Sequence, residues 1–139
     1  MRNGIFLIVF SLLFVGCENE AKKQQELLFK EVMSIHDEVM PKMSSLKKMA
    51  KNLDNQIEFM MSDSLSLDSA KVEALKLSSE NLKKANDSMM DWMHNFNQVK
   101  EGTPNEEAMK YLSEQKDKIS KVRDNMLTSE KEAKELVTE

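Results

Sequence analysis

The chain has 139 residues, 40% of them apolar and only 6% aromatic, with 24 acidic against 20 basic side chains and a net charge of −4. That length holds one small domain. The acidic balance argues against nucleic acid or an anionic lipid surface as partner, and a single cysteine excludes both an intramolecular disulfide and a thiolate metal cage.

Residues 1–16 read as an export signal rather than as part of the domain. Arg2 supplies a positive start, Ile5 to Val15 is almost continuously apolar, and Phe14-Val15-Gly16-Cys17 puts a small residue directly before the cysteine. This resembles a bacterial lipoprotein signal with its lipobox. The resemblance implies cleavage after Gly16, lipidation of Cys17 and acylation of the new amino terminus. The apolar run of about eleven residues is well short of the ~20 that a spanning helix needs. Cleavage removes Arg2 and no acidic residue, so the net charge moves from −4 to −5. The lipid, not charge, is then expected to hold the protein to a membrane of the cell envelope. Residues 17–25, the lipidated Cys17 and ENEAKKQQ, are expected to form a hydrophilic tether, and residues 26–139 the domain.

The first helix is expected over about 23–61. Phe29, Val32, His36, Val39, Met43, Leu46, Ala50, Leu53, Ile57 and Met60 alternate in steps of three and four, an unbroken heptad seam. His36 is thus predicted to point into a helix interface, with Met33 and Met40 flanking the stripe. Pro41 lies inside the run and removes the amide that would bond the Asp37 carbonyl, so a bend is expected there. A second helix is predicted over 69–100, capped by Asp68 or Ser69, with Leu75, Leu82, Met89 and Phe96 every seven residues. Gly102 then suits a left-handed helix end, and Thr103, Pro104 and Glu106 suit an N-cap, first position and capping box. The third helix is predicted over 104–136, with Leu112, Ile119, Met126 and Ala133 on its stripe and Met109, Val122 and Val137 beside them. The resulting fold is all-α: an antiparallel, coiled-coil-like three-helix bundle, with a four-element version broken at Pro41 as its alternative.

Twelve methionines are unevenly spread, clustering around His36 and in Met89-Met90-Asp91-Trp92-Met93-His94. A hairpin of the first two helices pairs residues whose numbers add to about 130, which brings both clusters to one layer. Thioether and imidazole suit Cu(I), and His36, Met40, Met89 and Met93 are the candidate ligands. Periodicity favours core packing without any cofactor, because methionine fills irregular gaps in bundles. Trp92 and Phe96 beside the cluster are candidates for a partner surface. No serine, histidine and carboxylate arrangement and no glycine-rich phosphate loop is present, so an enzyme is not expected.

The MMDWMHNF and IHDEVMPKM stretches, with the lipobox FVGC and YLSEQKDKISKV, resemble a group of small Bacteroidota envelope lipoproteins often carried under the label viral A-type inclusion protein. The resemblance implies an envelope lipoprotein and transfers no active-site residue. The function expected is a lipid-anchored, non-enzymatic module that binds an envelope protein or serves a structural role. Binding or sequestration of Cu(I) is the alternative.

Overall fold

The computed structural model describes residues 14–62 and 68–138, with side chains over 19–62 and 68–137. Residues 1–13 of the expected signal and the Cys17 side chain lie outside these bounds. Among the described residues all regular structure is helical: α1 Phe14–Val39, a 3-10 turn Met40–Lys42, α2 Met43–Ser62, α3 Ser69–Asn95 and α4 Asn105–Thr138.

α1, the turn and α2 make one rod that carries the heptad seam. Six seam residues from Val32 to Ile57 are buried, and Phe29, His36, Met43 and Met60 are half-buried. Pro41 cannot supply the helical amide, so Val39 departs to φ −109° and the Met43 N–H closes a 3-10 turn on the Met40 carbonyl before the helix resumes. The two halves of the rod have different neighbours. α1 packs against α4, α2 against α3 and α3 against α4, while α2 hardly touches α4. α1 and α4 run parallel, as the contacts Gln25 to Asn105, Glu31 to Lys116 and Lys42 to Glu130 show. α3 runs against both, with Trp92 beside His36 and Ser79 beside Ala50 and Asp54. The fold is therefore an all-α bundle of three rods, the first broken at Pro41.

Four local expectations are corrected. Segment 17–25 is the start of α1 and not a tether: Glu, Ala, Lys and Gln favour helix, and Gln25 Nε2 donates to Asn105 Oδ1 at 2.8 Å. α3 stops at Asn95 rather than Lys100, because Phe96 is extended at φ −75° and ψ 124°. Asn95 Nδ2 turns back on the Asp91 carbonyl at 2.7 Å, and the Asn97 N–H donates to the Tyr111 hydroxyl at 2.8 Å, so side chains replace the helical bonds. Gly102 does have a positive φ, 83°, but as third residue of a turn closed by the Thr103 N–H on the Lys100 carbonyl at 3.1 Å. The Thr103 hydroxyl donates to that same carbonyl at 2.8 Å, and because the Thr103 N–H is already bonded there it is not left for Glu106, as a capping box requires. Finally, Val137 is 55% exposed and not beside the core. Asp68 caps α3 as expected, its Oδ1 accepting from the N–H groups of Ala70 and Lys71 at 3.1 and 3.0 Å.

Candidate functional site

Where α1, α3 and the start of α4 meet, ring contacts run from His36 to Trp92 (5.6 Å), Phe96 (4.8 Å) and Tyr111 (6.3 Å), and Phe29 joins Phe96 at 6.3 Å. The heptad seam brings Phe29 and His36 inward, and Trp92 lies on the last turn of α3 with Phe96 just past its end. His36 Nδ1 lies 2.8 Å from Asp37 Oδ1, and a face of its ring is covered by Trp92. Met89 is fully buried and Met93 half-buried, but Met40 is 45% exposed on the 3-10 turn, whose tighter winding carries it off the stripe. The four candidate Cu(I) ligands therefore do not share one enclosed layer. Among the described residues no three His, Cys, Asp or Glu side chains are grouped to hold a metal ion. Trp92, 7% exposed, is an interior residue and not a surface anchor, and Phe96 is half-buried.

Two carboxylates are more deeply engaged than those of an ordinary solvated helix face. Asp54 accepts from Lys83 and from the Ser79 hydroxyl (2.6 Å), and these two bonds, Lys83 first, hold its carboxyl below the ordinary aspartate range. Glu130, 8% exposed, accepts from Lys134 at 2.7 Å and from Lys42 at 2.8 Å, and both lower its pKa. Lys42 belongs to the 3-10 turn, so this pair ties the break in the first rod to α4. The available signal was positional: Glu130 follows the buried seam residue Ser129 and precedes Ala133 by three.

The partner exchange at Pro41 leaves one side of the bundle open. Between α2 and α4 lies a groove of about 450 Å³, with Met49, Leu53 and Gln56 on one wall and Ala133, Lys134 and Val137 on the other. Phe59, 74% exposed, continues the same face of α2 one turn beyond Gln56. No protein-family model, curated protein or solved structure matches the chain. None of the described helices is long and apolar enough to cross a membrane.

Proposed function

We propose that the protein is a lipid-anchored helical bundle of the bacterial cell envelope that acts by binding another protein, without catalysis. The signal-like residues 1–16, Cys17 and the resemblance to envelope lipoproteins support the anchor. The observation that carries the binding role is the open α2/α4 groove. Its walls are mostly apolar, its one charged side chain, Lys134, is paired with Glu130, Val137 on one wall is exposed, and so is Phe59 one turn beyond Gln56 on α2. Contiguous exposed apolar surface framed by polar residues is typical of interaction sites, and charge is depleted at their centres. An amphipathic helix of the partner fits such a groove as a fourth rod, and Met49 adapts to its side chains.

A photo-crosslinking residue at position 49, introduced in cells, is expected to give one discrete protein adduct that Val137→Asp abolishes. The same probe at the exposed Lys121 is expected to give none. Equal adducts at both positions, or none at 49, would reject the reading.

A further inference from the structure

On the flank between α2 and α3 a second cleft, of about 280 Å³, has a floor of Ala50, Leu82 and the buried Asn86 and a rim that includes Lys47, Lys51 and Asp87. Asn86 is the unusual member. It sits on the apolar stripe of α3, four residues after Leu82 and three before Met89, is 2% exposed, and its Oδ1 has no hydrogen-bond partner. A buried amide without a partner destabilises a fold, and a leucine at this step of the seam would pack without that penalty. Oδ1 is itself closed to solvent while Asn86 lines the cleft, so a molecule there reaches the oxygen once a half-turn of the amide about its last side-chain torsion exchanges Oδ1 with Nδ2.

The charges around Asn86 are also unevenly satisfied. Asp54 neutralises Lys83 and takes the Ser79 hydroxyl, whereas Lys47, Lys51 and Asp87 have no ion-pair partner among the described residues. A ligand that completes this set needs one negative group for the two ammonium groups, hydrogen-bond donors for the Asp87 carboxylate and the Asn86 oxygen, and an apolar face for the floor. A neutral sugar leaves the lysines unmatched. A phosphate monoester dianion brings two charges against Asp54 and Asp87, and its phosphoryl group has no donors. A carboxylated pyranose supplies all three features, and a cleft of this volume holds one ring.

We infer that this cleft binds an acidic monosaccharide of the uronic acid type, its carboxylate between Lys47 and Lys51 and its hydroxyls donating to Asn86 and Asp87. Free uronic acids and the end units of acidic polysaccharides share this chemistry. The test is an NMR titration of the ¹⁵N-labelled full chain, held in a detergent whose headgroup is not a sugar, with glucuronate, galacturonate, a glucuronate-ended oligosaccharide, glucose and acetate. Saturable shifts are expected at the Asn86 side-chain amide and the Lys51 backbone with the uronates, and binding at least about tenfold weaker for glucose and acetate. Tighter binding of the oligosaccharide than of either monosaccharide identifies a polysaccharide end as the ligand, and equal binding identifies the free sugar. Lys51→Gln and Asn86→Leu should each weaken glucuronate binding about tenfold, while Asn86→Leu leaves the melting temperature unchanged or higher. The inference is overturned if no uronate gives saturable shifts, if glucose or acetate binds as well, or if Asn86→Leu binds glucuronate like the native chain.

Discussion

Glu130 is charged yet only 8% exposed, a combination that persists because Lys134 and Lys42 both reach its carboxylate. Its pKa is lowered in the fold, so the stabilisation is complete above the ordinary glutamate range of about 4.3 and disappears as pH falls through the lower, folded value. Glu130→Gln is expected to cost ~1–2 kcal/mol at neutral pH, less than a fully buried pair because both lysines remain partly in water. Denaturant melts repeated from pH 7 to pH 3 check this: the gap between native and variant should shrink toward the acid end. A constant gap would mean that packing of the side chain, not its charge, is what the substitution removes. Asn86 differs from Glu130 in having nothing within the bundle to satisfy it.

At the scale of elements, the rods were legible because a period near 3.5 residues is written into apolar side chains, and six of the ten seam residues from Phe29 to Met60 are buried. The ends were less legible, since Asn95, Asn97 and Thr103 choose among several nearby carbonyls and hydroxyls, and only the folded geometry decides which is in reach. Gly102 shows both sides. Its positive φ was foreseeable from the glycine, but its place in a turn, seven residues beyond the end of α3, was not. A Cβ at Gly102 meets no atom within 4 Å, so substitution is opposed by backbone conformation alone. Gly102→Ala should therefore cost ~1–2 kcal/mol and lower the melting temperature by several degrees, with an unchanged helical circular dichroism spectrum. An unaltered melt would show that the connection carries no stability.

For the whole molecule, the candidate sites were the least legible part. Residue spacing brought His36 level with the cluster at 89–94, within which Trp92 meets it, but did not show the partner exchange of the first rod, which puts Met40 outside and opens the α2/α4 groove. That exchange depends on which of two neighbours each half of the rod prefers, a property of three rods together rather than of any one periodicity. Attachment is testable at the same scale. Cys17→Ser should leave the precursor without acyl chains by intact mass, and native protein recovered in the soluble fraction after cleavage would refute the anchor. With Cys17 anchored as proposed, the first rod would serve as a pedestal. Met49 to Gln56 lie 32 to 39 residues beyond Cys17, which at 1.5 Å per residue raises the groove about 50 Å along the rod. In the proposed lipid-anchored state, a protein standing upright would meet at that height only partners that themselves rise well clear of the bilayer, and those lying close to its surface would pass beneath.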